Sequence, residues 1–304
     1  MIESIFLYKL IAAVLITNSH MGPIYGKFAS LAIGGALGNT FFFIASGFLA
    51  SSKKTSFLPY MKKRILRIWP AVIVVTIVMY VLGELPEYTS VLEMVRACIF
   101  PTAFWFVNAV IVCYILFYIT SSYLEKYQLQ VAIGFIVIYL LYYLTLFDLK
   151  AASLESGYGK VLYLFPAMLI GKSIRTNYAQ EKYKTAWIWG ATMGSGVIWL
   201  LLQLIATKIP TLQVMVPFSS IAVGAFALLL LLRYEDRIRA LNSRVKVVMH
   251  EMANSTLEVY LVQVVIIRYM SSQSSLFKVP VTYLLIFGIA IVLRKIMSQI
   301  KVRK

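Results

Sequence analysis

The chain has 304 residues, of which 61% are hydrophobic and 13% are charged, and its mean hydropathy is +0.82. Soluble domains are about 45–50% apolar and about 25% charged, so the composition excludes an ordinary soluble enzyme, and it also excludes a disordered chain. The net charge of +17 is carried by short basic clusters between apolar runs. That arrangement is typical of membrane topology and does not indicate nucleic-acid binding.

Ten apolar runs of spanning length follow one another along the chain. The predicted spans are residues 4–20, 31–50, 65–82, 103–123, 131–147, 160–174, 186–206, 212–232, 254–270 and 280–297. They are continuously apolar, without the alternation of a barrel strand, and an open sheet edge is excluded from hydrocarbon, so all are predicted to be helices. No linker divides them. The sequence therefore predicts an all-α, polytopic membrane helix bundle that forms one domain over residues 1–304 without an appended soluble domain.

Lysine and arginine are distributed unequally between the predicted loops. Alternate loops carry 21 of them on one side and 6 on the other. By the positive-inside rule, both termini are predicted to be cytoplasmic, which places His20 toward the outer end of the first span. The first span begins with Glu3 and is interrupted by Lys9, so a cleaved signal peptide is not expected. The two cysteines form no CxxC pair, and no metal site is predicted.

The first span carries two ionisable residues, Lys9 and His20. Eleven residues at 100° each exceed three full turns by only about 20°, so both lie on one face of the helix, about 16 Å apart along its axis. Charged groups inside a span indicate function, and histidine is a candidate general base because its pKa lies near neutrality. The alternative is that Lys9 extends to the cytoplasmic surface and that His20 is an interfacial residue.

A second basic group begins the third span. Arg64 and Arg67 are three residues apart and face the same way, and Lys63 precedes Arg67 by four. Two guanidinium groups on one helix face at the cytoplasmic boundary form a suitable phosphate clamp. The alternative is that these residues only set the orientation of the chain and contact anionic lipid.

Polar residues in other spans are weaker candidates. Glu258 and Gln263 interrupt an apolar run, so they are expected to face the interior, where Glu258 either lines a cavity or pairs with a basic residue of another span. Ser46 has no base beside it in the sequence and is assigned to packing. Two glycine pairs at GxxxG spacing, Gly34 with Gly38 and Gly190 with Gly194, predict close helix packing.

These residues, taken in order, resemble the acyltransferase-3 family, the integral membrane O-acyltransferases of bacterial surface polysaccharides. The resemblance covers nearly the whole chain. The stretches that carry it are Lys9 to His20, Phe42-Phe43-Ile44-Ala45-Ser46-Gly47-Phe48, Arg64-x-x-Arg67-x-x-Pro70, Trp105-Phe106 and Tyr260-Leu261.

The resemblance implies an enzyme of the bacterial cytoplasmic membrane that uses acetyl-CoA as acyl donor and a glycan or a lipid-linked saccharide as acceptor. The donor phosphates are expected at Arg64 and Arg67 with help from Lys63, and Lys9 is expected to contact the donor near the base of its path. His20 is expected to act as general base or to carry the acetyl group briefly. The remaining expectations concern the substrate cavity, which is assigned to Ser46, Trp105, Glu258, Tyr260 and Gln263.

Two positions depart from the family pattern. Lys9 stands where the family usually has arginine, and lysine lacks the planar bidentate contact of a guanidinium. Gln263 stands where some members carry a histidine, which argues against a mechanism with two histidines. The alternatives to an acyltransferase are a multi-span transporter or flippase, for which no duplication of two halves is visible, and a structural membrane subunit, which does not account for Lys9 and His20 on one face.

Overall fold

The structure is a computed structural model that describes residues 2–50, 55–85, 87–100, 104–148, 158–177, 185–272 and 275–302. Over these residues the regular elements are all helical. The α-helices are α1 (Ser4–His20), α2 (Gly22–Tyr25), α3 (Gly35–Leu49), α4 (Phe57–Val81), α5 (Val91–Ile99), α6 (Trp105–Tyr123), α7 (Gln128–Leu141), α8 (Val161–Asn177), α9 (Thr185–Ala206), α10 (Val216–Arg233), α11 (Glu235–Arg239), α12 (Ser243–Asn254), α13 (Thr256–Met270) and α14 (Lys278–Val302). Shorter 3₁₀ turns link several of them, and α7 ends in a π-helical turn over Tyr142–Leu146.

Each predicted span has a helix at its place, because every one of them is a long apolar run that a helix alone can satisfy in lipid. The largest difference lies at the third span. Helix α4 begins at Phe57, eight residues before the predicted start at residue 65, so Lys62, Lys63 and Arg64 belong to the helix and not to a loop. Lysine and arginine side chains are long enough to extend from a helix and keep their charged groups in water.

Six helices are long and apolar enough to cross a membrane within the described residues, and a seventh is added if α1 and the following segment count as one bent span. The bend between Ser4–His20 and Gly22–Leu31 is 59°. The other predicted spans correspond to shorter helices, α3, α8 and α13, of 15 to 17 residues. In its described residues the chain is all-helical, with the long apolar helices of a membrane protein, and the count of ten spans stays a prediction.

The described residues divide into two compact units. The first unit consists of residues 1–12, 36–54 and 109–242, and the second of residues 13–35, 55–108 and 243–304. Two helices are divided between the units. The first unit contains α1 up to residue 12 and α6 from residue 109, and the second unit contains the rest of both helices.

The first unit depends on close contacts between helix backbones. A Cβ placed on Gly47 of α3 would lie 1.8 Å from the carbonyl oxygen of Met168, and one on Gly171 of α8 would lie 2.0 Å from the carbonyl oxygen of Ile44. The two glycines therefore let α3 and α8 touch along their backbones, as small residues do in membrane helix pairs.

The glycine spacings singled out in the sequence do not produce this packing. Gly34 precedes α3 and has a φ of +107°, and a Cβ there would lie 3.1 Å from the side chain and 3.4 Å from the carbonyl oxygen of Leu15, so it approaches α1 closely from the turn. A Cβ on Gly190 or Gly194 would meet no atom of the described chain within 4 Å. The predicted close packing at Gly190 and Gly194 is wrong, since the spacing alone does not say which face of a helix meets a neighbour.

The first unit also holds the beginning of α1. The carboxylate of Glu235 accepts hydrogen bonds from the backbone N–H groups of Glu3, at 2.9 Å, and Ser4, at 2.8 Å. The Ser4 hydroxyl and Arg239 also donate to it. A side chain 231 residues away in the sequence thus satisfies N–H groups that the first turn of a helix leaves without partners.

In the second unit, α13 packs against α14, α4 and α2, and α14 also packs against α4. Near the end of α13, the side chain of Arg268 is paired with Glu84, which follows the end of α4. Helix α5 begins with a capping box, in which Ser90 accepts from the backbone of Glu93 and the Glu93 carboxylate accepts from the backbone of Ser90. This unit contains most of the predicted site residues.

Candidate active site in the second unit

Helix α13 carries three predicted site residues in its first two turns. Glu258 and Gln263 are fully buried, and Tyr260 is 8% exposed. The apolar residues between them are buried as well, so this part of α13 is enclosed on most sides. Polar groups that cannot reach water must find partners inside the protein, and those partners identify the site.

The carboxylate of Glu258 is held by Arg67 of α4. Arg67 donates from Nη1 to Oε1 at 2.6 Å and from Nη2 to Oε2 at 3.1 Å, and Nη2 also donates to the carbonyl oxygen of Asn254 at 3.0 Å. The Arg67 side chain keeps 39% of its surface exposed. Of the two sequence interpretations of Glu258, pairing with a basic residue of another helix is the one that the structure shows. Two of the five N–H donors of Arg67 serve this pairing, and a third binds the backbone of α12 at Asn254.

Arg64 and Lys63 have different surroundings. The Arg64 guanidinium lies 3.4 Å from the centroid of the Tyr60 ring and donates to the Tyr60 carbonyl oxygen at 3.1 Å. Lys63 is exposed. The basic group on α4 therefore consists of a paired arginine at the deeper position, an arginine stacked on an aromatic ring one turn earlier, and an exposed lysine beside it.

Helix α1 reaches α13 one turn before His20. The Thr17 hydroxyl, fully buried, donates to Oε1 of Gln263 at 3.0 Å. Three residues later His20 ends the helix with an exposed side chain. The structure thus ties the end of α1 to α13, the helix that also holds Arg67 through Glu258. Thr17 had no assigned role in the sequence, where it was visible only as the first of four polar residues at the end of a span.

Two stretches that carry the family resemblance meet in this unit. The Phe106 ring lies 4.6 Å from the Tyr260 ring, and the Phe104 ring lies 6.5 Å from it. Trp105, half-buried, packs edge-on against Phe106 at 5.8 Å. The Trp-Phe and Tyr-Leu stretches, 155 residues apart in the sequence, therefore build one aromatic contact between α6 and α13, and Tyr260 is a packing partner as well as a candidate cavity residue.

The two remaining predicted residues belong to the first unit. Lys9 is half-exposed in the early part of α1, in the same continuous helix as His20. Ser46 is half-buried in α3, next to the Gly47 contact with Met168. The Phe-Phe-x-x-Ser-Gly-Phe stretch that carries part of the resemblance thus contains the glycine at which α3 touches the backbone of α8.

The second unit contains groups suited to proton transfer and to binding an anion. An imidazole at the end of α1 can accept a proton from a hydroxyl, a buried amide lies one turn before it, and cationic groups lie on α4. In the described part of the chain, no three His, Cys, Asp or Glu side chains lie together as metal ligands.

Comparison with known proteins gives one family. A family model described as an acyltransferase domain matches residues 2–294, which is nearly the whole chain and spans both units. No curated protein and no solved structure gives a significant match. The resemblance on the five sequence stretches is confirmed by this match, and the chain belongs to the acyltransferase-3 family of membrane acyltransferases.

Proposed function

We propose that the protein transfers an acetyl group from cytoplasmic acetyl-CoA to a hydroxyl of a cell-surface polysaccharide or of its lipid-linked precursor, in the bacterial cytoplasmic membrane. The observation that supports this most is the hydrogen bond between Thr17 and Gln263. It joins the end of α1, where His20 lies, to α13, which is joined in turn to the basic group on α4 through Glu258 and Arg67.

The donor is proposed to bind with its phosphates at the basic group of α4. Arg64 and Lys63 supply the positive charge there, because the charge of Arg67 is already balanced by Glu258. Arg67 acts mainly by holding α4 against α13 through Glu258. The pantetheine arm then brings the thioester toward the end of α1, and Lys9 lies earlier on that helix.

His20 is proposed to accept the proton of the acceptor hydroxyl as that oxygen attacks the thioester carbonyl. The carbon–sulfur bond then breaks, and the proton passes to the leaving thiolate. This route needs a single base and a single chemical step, whereas an acetyl-histidine route needs two transfers. Ser46, Trp105 and Tyr260 are proposed to shape the cavity.

The first experiment measures acetyl-CoA binding and the release of free thiol by the purified protein in nanodiscs. The wild type is expected to bind acetyl-CoA and to release thiol slowly with water as acceptor. His20→Ala is expected to bind the donor within a few-fold of wild type and to lose thiol release by about 10²-fold or more. His250→Ala, which changes the second histidine of the chain on α12, is the matched control. The proposal is contradicted if the wild type does not bind acetyl-CoA, or if His20→Ala releases thiol as fast as the wild type.

The donor site is tested separately at Arg64. Hydrogen bonds to charged groups contribute about 1.5–3 kcal/mol, so Arg64→Ala is expected to weaken acetyl-CoA binding about tenfold or more. Arg96→Ala removes the same charge from α5 and should leave binding unchanged. Equal affinities for the two variants rule out the phosphate contact at Arg64.

A further inference from the structure

The side-chain amide of Gln263 has a hydrogen-bond partner for its oxygen and none for its nitrogen among the described residues. Its Oε1 accepts from the buried hydroxyl of Thr17, which fixes the orientation of the amide. Its Nε2 is buried and has no hydrogen-bond partner among the described residues. The side chain is 0% exposed, so water does not replace the missing partner at the surface.

An arrangement of this kind is costly unless a ligand completes it. Leaving a buried donor unpaired costs about 1–3 kcal/mol, and most buried polar groups in folded proteins are therefore paired. The neighbouring polar group on α13 shows the ordinary outcome, since both oxygens of Glu258 accept hydrogen bonds from Arg67. Gln263 stands out because its acceptor is held in place while its donor is left unused.

The position of Gln263 relates its amide to the proposed base. It meets α1 at Thr17, three residues before His20, which corresponds to about 4.5 Å along the helix axis. His20 activates a hydroxyl that attacks the carbonyl carbon of the thioester, so this carbon must lie near the last turn of α1. The carbonyl oxygen then lies within a few ångströms of the same turn. A hydrogen-bond donor at that turn is well placed to contact this oxygen.

We propose that the Nε2 amide of Gln263 donates a hydrogen bond to the carbonyl oxygen of the acyl thioester and stabilises the oxyanion that forms there. This inference rests on the function proposed above. In the step, the acceptor oxygen forms a bond to the carbonyl carbon, its proton moves to His20, and the carbonyl π electrons move to the oxygen that Gln263 contacts. The carbonyl double bond then reforms, the carbon–sulfur bond breaks, and the thiolate takes the proton back from His20.

Thr17 acts as a positioning residue in this scheme. The Thr17 hydroxyl donates to Oε1 of Gln263, so Nε2 points away from Thr17. The N–H groups of Nε2 are thereby left for the ligand. A preorganised donor of this kind stabilises the transition state more than the bound ester, because the oxygen gains charge as the reaction proceeds.

The test compares Gln263→Met, which has a similar volume and no donor, with the control Gln203→Met on α9. The substrate is acetyl-CoA labelled with ¹³C at the carbonyl, and the acceptor is water. Gln263→Met is expected to bind acetyl-CoA within about threefold of wild type and to lose turnover by about 10²–10³-fold, whereas Gln203→Met retains both. Gln263→His keeps an N–H donor and is expected to recover most of the turnover.

Isotope-edited infrared spectra give a readout that does not depend on turnover. The carbonyl band of the labelled thioester is expected to shift to lower frequency on binding to the wild type and to Gln203→Met, and to keep its free position in Gln263→Met. If the wild type binds the donor without any shift, the inference is overturned while the proposed function stands. If the wild type does not bind the donor, the proposed function itself fails.

Thr17→Val provides a second variant if Gln263→Met does not fold. The substitution keeps the shape of the threonine and releases Oε1 of Gln263, so the amide is no longer fixed. Turnover is expected to fall at least tenfold with donor affinity unchanged. Full turnover in Thr17→Val, or in a folded Gln263→Met, contradicts the role of the amide.

Discussion

The side chain of Arg67 shows that two residues on one helix face can have different partners. The sequence places Arg64 and Arg67 on one face and treats them alike, but Arg67 binds the buried carboxylate of Glu258, whereas Arg64 stacks on the Tyr60 ring. The partner, Glu258, lies 191 residues away. Spacing along a helix predicts which residues share a face, and it does not identify the partner that another helix brings to that face. For this reason the phosphate clamp and the buried ion pair could not be separated before the fold was known.

The pair makes a prediction about stability. Arg67→Met leaves the Glu258 carboxylate buried without its counter-charge and is expected to destabilise the protein by about 3 kcal/mol. The double variant with Glu258→Met removes both charges and is expected to recover most of that loss, because apolar replacements of buried pairs are often neutral. Thermal unfolding in detergent measures both midpoints. Equal loss in the single and double variants would falsify the idea that the pair holds α4 to α13.

Glu235 makes a prediction about pH. Burial raises the pKa of its carboxyl group, but the hydrogen bonds from Ser4, from the backbone of Glu3 and from Arg239 outweigh burial, so the pKa lies below its ordinary value. A lowered pKa in the folded state gives stability that is fully present above the ordinary carboxyl pKa of 4.5 and is lost as the pH falls below 4.5 through the lowered pKa of the folded state.

The unfolding midpoint of the wild type is therefore expected to fall between about pH 5 and pH 3 by more than that of Glu235→Gln, which cannot bind the extra proton. Asp236→Asn, at an exposed neighbouring position, is the control and is expected to follow the wild type. Parallel pH profiles for wild type and Glu235→Gln contradict the capping role of this carboxylate.

At the scale of helices, the apolar runs predicted the elements well and their contacts poorly. The first span was predicted at residues 4–20, and α1 runs from Ser4 to His20. The prediction succeeds because a continuous apolar run in lipid can satisfy its backbone hydrogen bonds by forming a helix. The contact between α3 and α8 was missed, since it depends on Gly47 and Gly171 facing each other across separate helices. The short helix α5 was also missed, although Ser90 followed by Glu93 is a capping box that can be read in the sequence.

The α3–α8 contact makes a prediction about small substitutions. Gly47→Ala and Gly171→Ala each place a methyl group about 2 Å from a backbone oxygen, which forces the helices apart, and each is expected to cost about 3 kcal/mol. Gly134→Ala and Gly190→Ala have open space at the same atom and are expected to be neutral or stabilising, because alanine favours a helix interior. The order of the four unfolding midpoints tests this, and a Gly47→Ala protein as stable as Gly134→Ala contradicts it.

At the scale of the whole molecule, composition and charge predicted the class of protein. The apolar content indicated a helical membrane protein, and the order of five short stretches indicated its family, which the match over residues 2–294 confirms. The division into two compact units was not predicted, because it depends on contacts between segments far apart in the chain. Arg67, Gln263 and His20 all lie in the second unit, which hydropathy does not reveal.

The distribution of basic residues makes a prediction about orientation. With Cys98 and Cys113 replaced by alanine, Asn242→Cys between α11 and α12 should react with a membrane-impermeant maleimide only after permeabilisation of bacterial spheroplasts. Ser272→Cys, after α13, should react in intact spheroplasts. The opposite pattern, or labelling of both positions in intact cells, excludes cytoplasmic termini.

The turn that follows His20 is held by one side chain. Asn18 donates from Nδ2 to the carbonyl oxygens of Leu31, at 2.8 Å, and Ile33, at 2.9 Å, and its Oδ1 accepts from the Tyr25 hydroxyl at 2.6 Å. The two backbone contacts lie at the far end of the turn, and the Tyr25 contact lies in its middle. One amide thus sets the path of the chain between α1 and α3 at three points, so a change at Asn18 alters the whole turn and not a single contact.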